Sequence, residues 1–246
     1  MSARRVGVLA PHRELPGELE DVAAAAEERV ALWEVVTASS DDHSMEALLA
    51  TSELSALVAG VERMRRWRPE VVVWCCTSGS FVRGRAHALS QIAAIEAAAA
   101  GVPATSTSLA FVEALAALDV DEVAIVGPYP ADAVDAFAAY LGEWGIAVRD
   151  AVPLGCVGPT VSEQLDAADV ERAIVALGSD VAVLLPDTAV WGIEILTELA
   201  PRLPMPLLVA NQVTLWHAFD LIGIGTGLPA FDALAGVTAP GVTRSA

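Results

Sequence analysis

Short runs of β-branched and aliphatic residues recur along the chain. Between them lie stretches rich in Ala, Glu, Leu and Arg, such as "MEALLATSELSALVAGVERMRRW". This alternation constrains the fold more than any single motif. Parallel strands are joined through crossover helices rather than tight turns, and when buried on both faces they read as continuous apolar runs. The pattern predicts strands over 5–10, 31–37, 71–76, 103–105, 123–126, 147–154, 181–185 and 207–210, with helices between them. That is the arrangement of an α/β protein with parallel sheets flanked by helices.

The chain also repeats itself once. The first half runs "RRVGVLAPH", "VVVWCCTSGS" and "AGVPATSTSLAFVEALAALD"; the second runs "DEVAIVGPYP", "VAVLLPDTAV" and "LPMPLLVANQVTLWHAFDLIG". Two pseudo-symmetric domains are expected, over 1–118 and 119–221. Segment 222–246 is expected to return to the first, with a loosely ordered end. Aligning the central strands sets Cys76-Thr77-Ser78 against Asp187-Thr188-Ala189. Ligands of open α/β sheets bind outside the carboxyl ends of strands. Cys76 and Asp187 are therefore expected to face one ligand from opposite sides of a cleft between the domains.

Composition removes several kinds of chemistry. All 14 basic residues are arginine. Without lysine there is no Schiff base and no Walker-type phosphate lysine. No Gly-x-Gly-x-x-Gly turn follows the first strand, so a dinucleotide site has no support. The formal charge of −18 argues against nucleic acid or an anionic membrane as partner. A small carboxylate stays compatible, since backbone N–H groups bind anions whatever the global charge. The histidines, His12, His43, His87 and His217, are scattered, and nothing suggests a metal site. A cofactor-free protein is expected, cytoplasmic and homo-oligomeric, without a signal segment or membrane span.

The three cysteines are Cys75, Cys76 and Cys156, an odd count without a Cys-x-x-Cys pair. Alternation along a strand sends Cys75 and Cys76 to opposite faces. Cys75 and Cys156 read as buried small hydrophobes, as most free cysteines are. Cys76 ends its strand just before Thr77-Ser78-Gly79-Ser80, which suit a tight turn and helix cap, with a helix expected over 81–100. A thiol beside unpaired N–H groups at a helix start is expected to have a lowered pKa. The same N–H groups, with the hydroxyls of Thr77 and Ser78, can hold a carboxylate.

The stretch "CCTSGSFVRG" resembles the Cys-Thr-Ser-x-Ser-Phe-x-x-Gly segment of the maleate isomerase and arylmalonate decarboxylase branch of the aspartate/glutamate racemase superfamily. The resemblance extends to "RRVGVLAP", "VAIVGPYP", "VAVLLPDT" and "NQVTLWHAF", and so over most of the chain. It implies two pseudo-symmetric α/β domains and a cofactor-free site for small mono- or dicarboxylates. By this resemblance Cys76 stands at the first catalytic cysteine. Thr77 and Ser78 stand at the carboxylate-holding hydroxyls, and Tyr129 at a substrate-contacting tyrosine. Thr188 and Asn211 join the expected substrate-binding residues.

The chain departs from the pattern where chemistry is decided. Racemases and maleate isomerases of this kind carry a second cysteine where this chain has Asp187. The decarboxylases keep that second cysteine and lack the first. An asparagine of the isomerases' first loop is missing too, with Glu14 near its place, and a second-domain asparagine is absent around "GCVGPT". Asp187 is either catalytic or a cap for the following helix. Arg83 and Arg85 either draw anions to the cleft or point outward. The first expectation is cis-trans isomerisation of a maleate-like dicarboxylate by a Cys76 thiolate. The alternatives are decarboxylation of a malonate-type acid with Cys76 as proton donor, amino-acid racemisation, and carboxylate binding without turnover.

Overall fold

The structure is a computed structural model and describes residues 3–11, 16–37 and 42–242. His12, Glu14 and the end of the tail lie outside the described residues. All eight expected strands are present, as β1 (Arg4–Ala10), β2 (Val30–Val36), β3 (Val71–Trp74), β4 (Ala104–Ser106), β5 (Glu122–Gly127), β6 (Ala147–Pro153), β7 (Ala182–Leu185) and β8 (Leu207–Val209). They form two parallel four-stranded sheets in the orders β2-β1-β3-β4 and β6-β5-β7-β8. The two orders correspond strand for strand, so the repeat read in the sequence is a repeat of topology.

Helices cover the sheets. In the first half they are α1 (Glu18–Ala25), α2 (Met45–Thr51), α3 (Leu54–Met64), α4 (Thr77–Phe81), α5 (Gly84–Ala98) and α6 (Thr107–Ala117). In the second they are α7 (Ala131–Gly142), α8 (Pro159–Ser162), α9 (Ala167–Leu177), α10 (Gly192–Leu199) and α11 (Ala210–Leu221). The central strands β3 and β7 are buried at every residue, as strands covered on both faces must be. Of the edge strands, β2 and β6 are half-buried or exposed at nearly every residue, whereas β4 and β8 are buried. Among the described residues no helix is long and apolar enough to cross a membrane.

Three expectations need correction. Strand β3 stops at Trp74 rather than at Cys76, because the Cys76 N–H turns back to the Trp74 carbonyl at 2.9 Å. The helix expected over 81–100 is two helices. The chain breaks after Phe81 and restarts at Gly84, whose φ of +78° is left-handed and strained for residues with a Cβ. The long helical stretch from Met45 also breaks, at Ser52-Glu53. There Arg83 Nε donates to Ser52 Oγ at 2.6 Å, and Gln91 Nε2 donates to the Ser52 carbonyl at 2.9 Å. These long-range bonds override local helix propensity.

One apolar core runs through both sheets and includes Cys75; a smaller core around Leu57, Trp74 and Ile95 includes Cys76. The adjacent cysteines thus face opposite sides. The halves meet where α6 packs on α11 and α4 on α7. Polar ties cross this junction: Thr214 Oγ1 donates to Thr107 Oγ1 at 2.9 Å, and Thr105 Oγ1 meets His217 Nδ1 at 2.9 Å. Near the C-terminus, the N–H groups of Gly241 and Val242 donate to Glu113 of α6. Gly127 closes β5 so tightly that a Cβ there would collide with Val134 of α7. Gly127→Ala is expected to lower stability by about 1–3 kcal/mol through overpacking. Gly142→Ala, with nothing within 4 Å of its new Cβ, is expected to be neutral or slightly stabilising. Urea midpoints of the two variants check this.

Candidate functional site

The two central strands end in matching turns. The Cys76 N–H returns to Trp74 O at 2.9 Å, and the Asp187 N–H returns to Leu185 O at 3.2 Å. Each residue then uses its side chain to accept a nearby backbone N–H. Cys76 Sγ takes that of Gly79 at 3.3 Å, and Asp187 Oδ1 takes that of Ala189 at 3.0 Å. The correspondence of Cys76 with Asp187 is therefore geometric. Both border one cavity of about 20 Å³, about the room of a single water. It is lined by Cys76, Thr77, Ser78, Tyr129, Asp187 and Thr188, and closed by Pro11, Asp42, His43, Leu48, Thr51 and Pro159. A malonate-sized ligand enters only as these walls part.

Cys76 caps α4 with its own sulfur, in the place a Ser or Asp side chain usually takes. Ser78 Oγ lies 3.8 Å from the sulfur. The expected lowering of the thiol pKa does not occur. Burial, at 3% exposure, pushes it up to about 12, and the Asp187 carboxylate pushes the same way. The Gly79 N–H and the Ser78 hydroxyl offset only part of this. The physical reason is that α4 has only five residues, so its dipole is small, while desolvation of a sulfur anion is large. At neutral pH Cys76 is a thiol.

Tyr129 is buried beside Cys76, and its phenol is held well above the ordinary value, first by burial and then by Asp187 and Cys76. It is a neutral O–H donor. Asp187 Oδ2 is buried without a hydrogen-bond partner, while the Thr77 hydroxyl has the Tyr129 phenol beside it. Buried polar groups are almost always paired, so a carboxylate oxygen left open on the cavity wall is a place for a donor. Thr188 Oγ1 donates to the Cys75 carbonyl at 3.5 Å and ties the second strand end to the first.

Asn211 does not line the cavity. Its Nδ2 donates to Glu18 Oε1 at 2.7 Å and to the carbonyls of Thr188 and Val190 at 3.2 Å. It holds the Asp187 turn from behind. Asp187 caps that turn rather than a helix, since α10 starts only at Gly192. Arg83 pairs with Glu53, and Arg85 bonds to Glu143 and stacks over Trp144; neither lines the cavity. His217 is packed against Thr105.

His43 and Asp42 are lining residues that the sequence reading missed. His43 Nδ1 bonds to the Cys156 carbonyl at 3.0 Å, which makes that nitrogen the protonated one. Its ring meets Tyr129 edge-on at 4.8 Å. The segment follows β2, and its position beyond the carboxyl end of a strand was the available signal. Among the described residues no group of three or more His, Cys, Asp or Glu is placed to hold a metal ion.

Fold and cavity define a class: a duplicated α/β protein with one thiol, several hydroxyls and a carboxylate converging between its halves. A family model described as arylmalonate decarboxylase matches residues 51–234, and the chain belongs to that family. Arylmalonate decarboxylase of Bordetella bronchiseptica is 28% identical over 176 residues, 70% of this chain and 73% of that protein. A liganded double variant of arylmalonate decarboxylase, one glycine made cysteine and one cysteine made serine, superposes with a TM-score of 0.79. It is 25% identical and covers 90% of this chain and 93% of its own. A maleate isomerase variant from Pseudomonas putida S16, solved with maleate, reaches 0.87 at 18% identity, covering 96% and 98%. The isomerase shares the fold.

Iodoacetamide is expected to label Cys76 slowly at neutral pH and faster as pH rises toward the thiol pKa. Asp187→Asn removes the neighbouring negative charge and is expected to speed labelling several-fold at fixed pH. Mass-spectrometric labelling rates check both. Glu18→Ala leaves the N–H groups of Ile193 and Glu194 without their acceptor and takes one of three acceptors from the Asn211 amide. A loss of about 2 kcal/mol in urea unfolding is expected.

Proposed function

We propose that this protein is a cofactor-independent decarboxylase of a small malonate-type acid, with the Cys76 thiol as proton donor. The observation that carries this reading is the enclosure of Cys76, which is 3% exposed and shares its cavity with Asp187; burial and that carboxylate both push the thiol pKa up. A bound dicarboxylate adds negative charge and holds the proton on sulfur more firmly. That suits a donor and opposes a resting thiolate nucleophile. Membership of the arylmalonate decarboxylase family supports the same reading.

The step balances without a cofactor. The bond between the α-carbon and one carboxylate breaks, carbon dioxide leaves, and the electron pair passes into the retained carboxylate as an enediolate. The hydroxyls of Thr77, Ser78 and Tyr129, which line the cavity together, stabilise that developing charge. The Cys76 S–H delivers its proton to the α-carbon, and the sulfur keeps the bonding pair. A thiolate so strongly basic takes a proton back from solvent before the next turnover. By the resemblance, decarboxylases carry their thiol in the second half, whereas Cys76 is in the first. Protonation then comes from the opposite face and gives the opposite enantiomer.

The second reading is isomerisation of a maleate-like dicarboxylate, favoured by the first-half position of the cysteine. It needs Cys76 as a thiolate that adds to the alkene and is later eliminated. The two readings separate in one experiment, NMR of reactions with malonate-type acids and with maleate. Carbon dioxide release and a protonated monoacid are expected from the former, and no fumarate from the latter. Cys76→Ala is expected to lower kcat by at least about a hundredfold. For a thiol donor, kcat/KM is expected to stay level between about pH 6 and 9. A rise of about tenfold per pH unit marks a thiolate nucleophile instead. Fumarate formation without decarboxylation would overturn the proposal.

A further inference from the structure

We infer that Asp187 is a specificity-determining residue that accepts a hydrogen bond from the substrate. The acids taken by this site then carry a hydroxyl or ammonium group on the reacting carbon. The inference rests on the decarboxylase reading for the reaction, and on the geometry of the cavity for the recognition.

Besides the thiol of Cys76 and the phenol of Tyr129, three side chains lining the cavity carry or can carry charge: Asp42, His43 and Asp187. Two of them have their partners within the protein. The Asp42 oxygens accept from the N–H of Ser44 at 2.7 Å and its hydroxyl at 3.0 Å. His43 Nδ1 is bonded to the Cys156 carbonyl. Asp187 differs. Its Oδ1 is occupied by the Ala189 N–H, while Oδ2 is buried with no partner. A carboxylate oxygen only accepts, so what completes it must be a donor. Among the described residues no arginine lines the cavity, the chain has no lysine, and no hydroxyl of the cavity lies within hydrogen-bonding distance of Oδ2. A donor on the ligand completes it.

The other wall is of opposite character. Thr77 and Ser78 present hydroxyls from the first half, and Tyr129 of the second half brings its phenol beside them. Donors on the first-half wall suit a carboxylate, and an acceptor on the second-half wall suits an O–H or N–H. An acid whose α-substituent is apolar sets its carboxylates near Asp187 with nothing between them. An α-hydroxy or α-amino acid offers its donor to Asp187 Oδ2 while its carboxylate takes the hydroxyls.

Hydroxymalonate, aminomalonate and methylmalonate carry α-substituents of nearly equal size, so they isolate the donor; phenylmalonate adds bulk. Decarboxylation of each by wild type and by Asp187→Ala, followed by NMR, tests the inference, with thermal stabilisation by each acid as a second readout. Wild type is expected to favour a donor-bearing acid over methylmalonate by about tenfold or more in kcat/KM. The faster of hydroxymalonate and aminomalonate names the donor. Asp187→Ala is expected to bring the acids within about threefold of one another. Asp187→Asn replaces it should the alanine variant fail to fold. If no acid is turned over, but donor-bearing acids raise the melting temperature of wild type and not of the variant, the decarboxylase reading fails and the role of Asp187 stands. Equal turnover of methylmalonate and hydroxymalonate, or an equal loss for all acids in Asp187→Ala, would overturn the inference.

Discussion

A buried carboxylate joins the halves of this molecule at the level of its cavity. Glu18, from α1 of the first half, accepts the Ile193 N–H at 3.0 Å and the Glu194 N–H at 3.3 Å, both at the start of α10. Its other oxygen accepts the Asn211 amide at 2.7 Å, and the same amide holds the Thr188 and Val190 carbonyls. Burial raises the Glu18 pKa, and these donors offset part of that cost. The turn bearing Asp187 is thus fixed from behind by a group of the opposite half. The tie from Thr188 to the Cys75 carbonyl fixes it from the front. The two strand ends can face one ligand only because both connections hold.

Burial at that junction also decides the chemistry. A strand-end cysteine before a helix suggests a reactive thiolate when only the helix dipole is weighed. In the folded chain the helix is five residues long and the sulfur is almost fully enclosed, with an aspartate near it. Desolvation and like charge exceed one N–H and one hydroxyl, and the proton stays on sulfur. The same enclosure strengthens the hydroxyls as donors to any charge that develops on a retained carboxylate. A site that disfavours a free thiolate is well arranged for delivering a proton.

Much of this was legible in the sequence. The strands announced themselves as apolar runs buried on both faces. The repeat paired Cys76 with Asp187 before any coordinates did, because equivalent strand ends must meet if the halves are related by pseudo-symmetry. What the sequence hid depends on contacts distant along the chain. The break at Ser52 is stabilised by Arg83 and Gln91. The break after Phe81 needs Gly84, where a Cβ would lie 2.7 Å from Glu143 Oε1. His43 sits in a segment without periodicity, and only its seat against Cys156 and Tyr129 brings it to the cavity. The resemblance implies a substrate contact for Asn211, but its amide is used within the protein. The sign of the Cys76 shift was hidden for the same reason, since desolvation is a property of the whole enclosure.

The departure of Asp187 from the family pattern then acquires a physical meaning. Replacing a thiol by a carboxylate at one wall of a closed cavity exchanges a weak donor for an obligate acceptor. Leaving that acceptor unpaired in the protein is costly, unless a ligand supplies the donor in the state that matters. Such a site gives up some stability when empty and gains discrimination when occupied, because an acid without the donor leaves the same oxygen orphaned. Moving the thiol to the first half and placing an acceptor in the second are therefore one change seen from two sides. In the proposed decarboxylation the proton for carbon comes from the Cys76 wall, and the substituent on carbon meets the Asp187 wall.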